Sequence, residues 1–228
     1  MHVTDVTSAA RSSRYDRQVP AHQSPHVGTR RAPAWGADLP ADDAEARDRL
    51  LDAAEQCYAE IGPSRTKMSH IAARAGVHRT TVYNYFSSRD EVLAASYIRA
   101  AGIVLDSAQP YWDSDKPFLD KLIDACVVGI EVARGLPPMQ VLINRNELPH
   151  TQAIAAASED WQTRIREAIG HRLAGAAAAG QIRSDLTPDA LAQWIVRICI
   201  SLTMDPPDPH AGGDEAVLQA FLPRCLAP

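Results

Sequence analysis

The chain has 228 residues, 46% of them hydrophobic, and a formal net charge of −5 at pH 7, so it can bury a substantial core. No apolar run approaches the ~20 residues of a membrane span, and the N-terminus lacks the apolar core of a signal sequence, which argues against a membrane protein. The four cysteines are far apart, which excludes the usual zinc patterns and predicts a reducing, cytoplasmic location.

Residues 1–40 differ from everything that follows. They contain scattered Ser, Pro, His and Arg with few large apolar side chains and no sustained periodicity, so their composition predicts a disordered arm. The arm carries more Arg than Asp. It is therefore interpreted either as a segment that reaches DNA phosphates or a minor groove, or as a solvated tail.

Helical periodicity begins after this arm, where Asp42 and Glu45 have the spacing of a capping box. A broad apolar stripe from Leu50 to Ile61 predicts the first helix, which Gly62 and the following proline end. Residues 41–87 are predicted to form a small separate domain, and residues 88–228 a larger helical one.

The stretch from Gly62 to Arg89 holds five Lys or Arg residues and no Asp or Glu, inside an acidic chain. A segregated basic patch favours phosphate binding because neutralised phosphates release condensed counterions. Within this stretch, apolar residues at helical spacing are interrupted by Gly76, which suits the left-handed conformation at the end of a helix. The pattern predicts a helix-turn-helix, whose second helix can enter the major groove of DNA.

The second helix of this motif presents two kinds of side chain. Val82 and Phe86 are four residues apart, so they share a face that is expected to be core. The second kind is polar and can contact DNA through hydrogen-bond donors, a methyl group and an aromatic edge. These residues are Arg79, Thr80, Thr81, Tyr83 and Asn84. Thr66, four residues after Gly62, is expected to cap the helix that follows it, the first of the motif, and to present its hydroxyl and backbone N–H to phosphate.

At these residues the chain resembles the tetracycline-repressor-like (TetR) family of bacterial transcription regulators. The matching segments are Leu51–Ala54, Ile71–Ala72, Ala75–Val77, Thr81–Phe86 and Ser88–Leu93, about a quarter of the chain. The resemblance implies a three-helix DNA-binding head, a fourth connecting helix, and a divergent helical body that binds ligands and forms dimers. Two positions depart from the family pattern, namely His78 where a capping Ser or Thr is common and Arg89 in place of a Lys.

DNA-contact roles follow from the helix-turn-helix and from the resemblance. Arg79, Thr81 and Tyr83 are expected at base edges or their immediate backbone. Phosphate contacts, which position the protein without specifying sequence, are expected from four residues: Thr66, Lys67, Tyr85 and Arg89. The resemblance gives the strongest support to Tyr83 and Tyr85.

The predicted body reads as helices throughout, so the predicted fold class is all-α. A capping box from Ser88 to Glu91 opens the connecting helix, and apolar residues repeat every fourth position from Phe118 to Ile130. A short helix is then expected to end near Pro149, and a long helix is expected to carry Ile154 through Leu173.

The two final helices, from Pro188 and from Glu215, carry apolar stripes that a small body does not cover alone. We therefore expect them to form a four-helix interface between two copies of the chain, as the resemblance also implies. The residues expected at this interface are Ile198, Leu202, Leu218 and Phe221.

Residues that could line a ligand cavity in the body are Cys126, Met139, Trp161 and Trp194, although aromatic and sulfur residues at helical spacing more often form plain core. Catalytic signals are weak: the glycines near position 180 lack the Lys and Ser/Thr of a phosphate loop, and the histidines are isolated in sequence. No cofactor and no metal are predicted.

Two functions of different class remain open on sequence alone. One is a ligand-responsive regulator that binds an inverted-repeat operator as a homodimer and is released by a small, largely hydrophobic molecule. The other is an all-helical enzyme or an architectural DNA-binding protein that merely carries a helix-turn-helix. The acidic, apolar-striped body favours the first, because an architectural binder does not need it and extended DNA wrapping requires basic charge.

Overall fold

The structure is a computed structural model that describes Trp35 and residues 39–228. The predicted arm lies almost entirely outside the described residues. Between residues 39 and 228 every regular element is a helix or a helical turn. The predicted all-α class is therefore confirmed.

Three helices form the N-terminal head. The first, α1 (Asp43–Ile61), starts where the Asp42 carboxylate accepts a hydrogen bond of 2.8 Å from the backbone N–H of Glu45, as the capping-box spacing predicts. It ends at Gly62, whose φ of 87° favours glycine. A 3₁₀ turn (Pro63–Arg65) then leads to α2 (Met68–Arg74) and α3 (Arg79–Tyr85).

The connecting helix α4 (Arg89–Ser107) begins at Ser88, whose hydroxyl accepts a hydrogen bond of 3.1 Å from the backbone N–H of Glu91. It packs against α1 on one side and against body helices on the other. Buried residues run along α4 from Val92 to Gly102, so the apolar core is continuous from head to body. The head and the body therefore share one apolar core along α4.

The body contains eight further helices among the described residues. In chain order they are α5 (Gln109–Trp112), α6 (Phe118–Gly135), α7 (Pro137–Asn144), α8 (Leu148–Ala155), α9 (Glu159–Ile165), α10 (His171–Ala178), α11 (Pro188–Met204) and α12 (Gly213–Leu226). A π-helical turn, Arg166–Gly170, joins α9 to α10. α6 packs against α4, α7, α11 and α12, so it is the central helix of the body.

The expected boundaries near Pro149 and Ile154 are wrong. Pro149 lies in the first turn of α8, where its missing N–H costs no helical hydrogen bond, so it starts a helix rather than ending one. The long helix expected from Ile154 is broken after Ala155, because the Ser158 hydroxyl accepts a hydrogen bond from the N–H of Trp161 and starts α9.

Within the described part of the chain, no single helix is long and apolar enough to cross a membrane. Only α6 and α7 taken together pass that test of length and composition, and they are bent by 80° at their junction.

Candidate nucleic-acid interface and ligand cavity

The turn between α2 and α3 has the geometry of a helix-turn-helix. Gly76 has a φ of 67°, and the N–H of Val77 donates to the carbonyl of Ala72 at 3.0 Å, which closes the end of α2. Val82 and Phe86 are fully buried, so the predicted core face of α3 is confirmed. The opposite face of α3 therefore looks into solvent.

That exposed face carries four of the polar residues expected to contact DNA, namely Arg79, Thr80, Tyr83 and Asn84. Arg79 and Tyr83 contact each other: the guanidinium donates to the tyrosine hydroxyl at 2.9 Å and lies 5.2 Å from the ring centroid. A cation and an aromatic hydroxyl thus stand side by side on the helix that can enter a groove.

Two predicted contact residues do not fit their expected roles. Thr81 is 2% exposed, on the core side of α3, so its side chain is not available to a base edge. Thr66 is fully buried; its hydroxyl donates to the Gly62 carbonyl at 2.8 Å and its N–H also bonds to Gly62. With both donors used, Thr66 neither presents them to phosphate nor caps α2, which starts after Lys67.

Three other predicted phosphate contacts remain at the surface of the head. The Lys67 side chain is exposed at the start of α2. Arg89 donates to the Ser64 carbonyl at 3.0 Å and lies 3.3 Å from the Asp90 carboxylate. Tyr85 is half-buried, with its ring edge-on to Trp35 and its hydroxyl 3.4 Å from Asp43.

Arg47 is a residue of the head that the sequence did not reveal. Its guanidinium donates to the Tyr85 carbonyl at 2.7 Å and lies 4.3 Å from the centroid of the Phe86 ring. It therefore fixes the C-terminal end of α3 against α1. A single Arg on a helix gives no sequence signal for such a role, because the partner is 38 residues away.

The turn between α7 and α8 contacts the head directly. The Ser64 hydroxyl donates to the Glu147 carboxylate at 2.8 Å. The Arg145 guanidinium packs against Gly62 so closely that a Cβ there would lie 2.7 Å from its Nη1 atom. The body thus contacts the loop that precedes α2, in addition to the connection through α4.

The body encloses an apolar cavity of about 130 Å³. It is lined from α4, α6, α7, α8, α9, the π-helical turn and α11, together with residues that follow α4. Of the residues predicted to line a cavity, Cys126, Met139 and Trp161 do so, whereas Trp194 is half-buried outside this lining. Trp194 lies one residue from Ile195, which does line the cavity, so the helix turns the tryptophan away from it.

Two titratable groups of the cavity lining, Cys126 and Tyr97, have raised pKa values, which favours their neutral forms. A hydrogen bond with the thiol of Cys199, followed by burial, raises the pKa of Cys126. Burial alone raises the pKa of Tyr97, whose ring lies 5.2 Å from that of Trp161. No Asp, Glu, Lys, Arg or His is found among the described residues of the lining. The cavity therefore suits an uncharged molecule.

The four residues expected at a dimer interface occupy different environments. Phe221 is 62% exposed, whereas Ile198 and Leu202 are half-buried. Leu218 is 1% exposed and packs into the core of its own chain, so it is not available to a partner. In the part of the chain that the structure describes, no group of three His, Cys, Asp or Glu side chains is placed to hold a metal ion.

The helix-turn-helix head joined to a cavity-containing helical body defines a class of DNA-binding regulators, and comparison with known proteins agrees. Residues 50–96 match the model of the tetR family of bacterial regulatory proteins. An uncharacterised helix-turn-helix transcriptional regulator of Mycobacterium tuberculosis is 31% identical over 194 residues, which cover 80% of this chain and 84% of that protein. The regulator AlkX of the same species is 25% identical over 176 residues, covering 71% and 76%.

Solved structures share the fold. A putative TetR family regulator from Shewanella matches with a TM-score of 0.57 at 14% identity, covering 80% of this chain and 98% of that one. The TetR family repressor AlkX from Dietzia matches with a TM-score of 0.54 at 19% identity, covering 78% and 94%. The chain belongs to the TetR family of bacterial transcriptional regulators, so it is a DNA-binding regulator and not an enzyme.

Proposed function

We propose that the chain is a repressor that binds a palindromic operator as a homodimer and leaves it when a small, largely hydrophobic ligand enters the body cavity. The observation that carries this proposal is α4, which packs against the head at one end and lines the cavity further along. Residues 41–87 would act as the DNA-binding head and residues 88–228 as the ligand-binding and dimerisation body.

The operator would be read by the exposed face of α3. We assign base contacts to Arg79, Thr80, Tyr83 and Asn84, since all four are exposed on one helix of the basic stretch 62–89. Lys67, Tyr85 and Arg89 are assigned to phosphates that flank the groove. Thr66 and Thr81 are left out of this interface because both are buried.

A palindromic site follows from how little DNA one head can read. A single helix-turn-helix contacts too few base pairs to select one site in a genome, so two heads related by symmetry are needed. Phe221 on α12 supports a dimer, because an exposed phenylalanine, together with the half-buried Ile198 and Leu202 of α11, offers apolar surface to a second copy.

Release by a ligand requires that the ligand bind better to the arrangement that cannot hold DNA. A coupling free energy of about 1 to 3 kcal/mol would lower operator affinity about 5- to 150-fold. The cavity lies beside α4, so a ligand that shifts this helix would change the separation of the two recognition helices and their fit to successive half-sites.

Selection of bound fragments from random DNA duplexes tests the proposal. The expected result is an inverted repeat whose half-site centres are about one helical turn apart. A matched experiment uses the double variant Ile198→Asp and Phe221→Asp, which should sediment as a monomer and lose the selected sequence. Recovery of unrelated sequences by the unmodified chain, or a wild-type monomer at micromolar concentration, would contradict the proposal.

A cytoplasmic location belongs to this proposal. It is supported by the four cysteines, all of which are free thiols in the structure. It also follows from the function, because a regulator must have access to DNA.

A further inference from the structure

The cavity wall holds two hydroxyls, and that of Tyr97 has no hydrogen-bond partner among the described residues. We propose that Tyr97 is the anchor for the effector, and that the effector is a small, neutral molecule with an oxygen acceptor, such as a ketone, an ester or an alcohol. The proposal rests on the function proposed above, in that it takes this cavity as the effector site.

Tyr97 is 4% exposed, and it lines the cavity. Among the described residues, its hydroxyl has no hydrogen-bond partner, although its ring contacts Trp161. A buried hydroxyl without a partner is unfavourable, and a tyrosine hydroxyl in such a place usually has one. An oxygen acceptor on a ligand would supply that partner.

The other hydroxyl of the lining is already engaged as a donor. The Thr203 hydroxyl donates to the carbonyl of Cys199 at 2.8 Å, and the thiols of Cys126 and Cys199 are hydrogen-bonded to each other. Tyr97 therefore carries the hydroxyl that remains for a ligand, Trp112 and Trp161 add indole N–H groups, and the rest of the wall supplies apolar contact. A few polar groups in an apolar wall are the usual way in which a pocket orients a small molecule.

Charge and size narrow the ligand class. A carboxylate, phosphate or ammonium group would lose its hydration without meeting an opposite charge, because the described lining holds none. A cavity of about 130 Å³ is close in size to an engineered apolar cavity of about 150 Å³ that binds benzene. A ring of six or seven heavy atoms therefore fits without a large expansion of the body.

The position of Tyr97 gives the hydrogen bond a consequence beyond affinity. The residue lies in the middle of α4, and the preceding Ser96 donates to Glu55 of α1 at 2.9 Å. A ligand held by Tyr97 thus acts directly on the helix that carries the head.

The test compares two probes of nearly the same shape, cyclohexanone and methylenecyclohexane, which differ in having C=O or C=CH₂. Binding of each to the full chain is followed by ligand-detected NMR titration, for the wild type and for Tyr97→Phe. The phenylalanine removes one oxygen and keeps the ring. The control is Tyr111→Phe, which removes the hydroxyl of a tyrosine that is 38% exposed and lies outside the cavity lining.

We expect Tyr97→Phe to weaken cyclohexanone binding about two- to tenfold, the range of one net hydrogen bond, while methylenecyclohexane binding is unchanged. Comparing variants with the same probe cancels the cost of removing that probe from water. Cyclohexanecarboxylate should bind to neither protein. Tyr111→Phe should behave as the wild type with all three probes.

Equal loss for both probes, no loss for cyclohexanone, or absence of binding by either neutral probe would overturn the anchor role of Tyr97. The operator selection is run without any probe, so it reports on the proposed function separately. An inverted repeat together with a failed probe test would leave a repressor with a different effector chemistry. Failure to select any operator would overturn the repressor itself, whatever the probes do.

Discussion

The recognition helix and the cavity wall are both built from helices, yet their chemistry is opposite. α3 turns Arg79 and Tyr83 outward, where a cation and a hydroxyl contact each other in solvent. The cavity instead brings apolar side chains together, and burial raises the pKa of the tyrosine at its wall, Tyr97. The head would bind DNA through exposed charged side chains, whereas the body would bind the effector through apolar contacts in its cavity.

The contrast between the two regions predicts that Phe86→Ala, which removes packing behind the recognition helix, has the largest effect on stability and operator binding. Phe86 is fully buried behind α3 and lies under the Arg47 guanidinium, so its removal leaves a void in the head. We expect the free energy of unfolding to fall by about 3 to 5 kcal/mol, measured by urea denaturation, with loss of operator binding. Phe86→Leu should cost much less, and equal losses for both variants would argue that packing is not the cause.

Gly62→Ala tests the contact between the head and the turn that joins α7 to α8. Gly62 has φ of 87° and ψ of 151°, a conformation restricted essentially to glycine, and a Cβ there would also meet Arg145. The expected loss of unfolding free energy is about 1 to 3 kcal/mol. The control is Gly175→Ala in α10, where a Cβ meets nothing within 4 Å and should stabilise the helix slightly. A neutral Gly62→Ala would contradict the strain.

Arg79→Ala and Arg89→Ala should distinguish the base contacts of the head from its phosphate contacts. Arg79→Ala is expected to relax the preference at one operator position by about 1 to 3 kcal/mol. Arg89→Ala should weaken specific and non-specific DNA alike, and should reduce the slope of log affinity against log salt by about 0.9. Both are measured by fluorescence anisotropy over a salt series. Uniform losses on all sequences for both variants would contradict the division.

The smallest effect is expected at the contact between Ser64 and Glu147, a single exposed hydrogen bond of 2.8 Å. Ser64→Ala and Glu147→Ala should each change the free energy of unfolding by about 0.5 to 1 kcal/mol, and the double variant should lose less than their sum. Strict additivity in this double-mutant cycle would mean that the two side chains do not interact in solution.

The head was predictable from sequence because its signals are local. Asp42 and Ser88 cap helices through residues three positions away, and Gly76 marks the turn within the motif itself. The errors in the head concern which way a side chain faces. Thr81 precedes Val82, and only the packing of α3 against α1 and α2 decides that both are buried.

The body was less predictable because its boundaries and surfaces depend on distant contacts. Pro149 reads equally well as a helix end and as a helix start, and packing of α8 against α4 accompanies the second. Leu218 and Phe221 both belong to the apolar stripe of α12, yet one is 1% exposed and the other 62%. The unpartnered hydroxyl of Tyr97 gave no sequence signal, since hydrogen-bond partners are set by the tertiary fold.

The hydrogen bond between Arg79 and Tyr83 has a direction, and the direction decides what α3 offers to DNA. The guanidinium donates and the tyrosine oxygen accepts, so the tyrosine keeps its own proton for a further acceptor. Phosphate oxygens and the acceptor edge of guanine are such partners. Because each side chain already restrains the other, part of the rotamer entropy that Arg and Tyr would lose on binding is lost before DNA arrives. The pair therefore meets the groove as one preorganised unit.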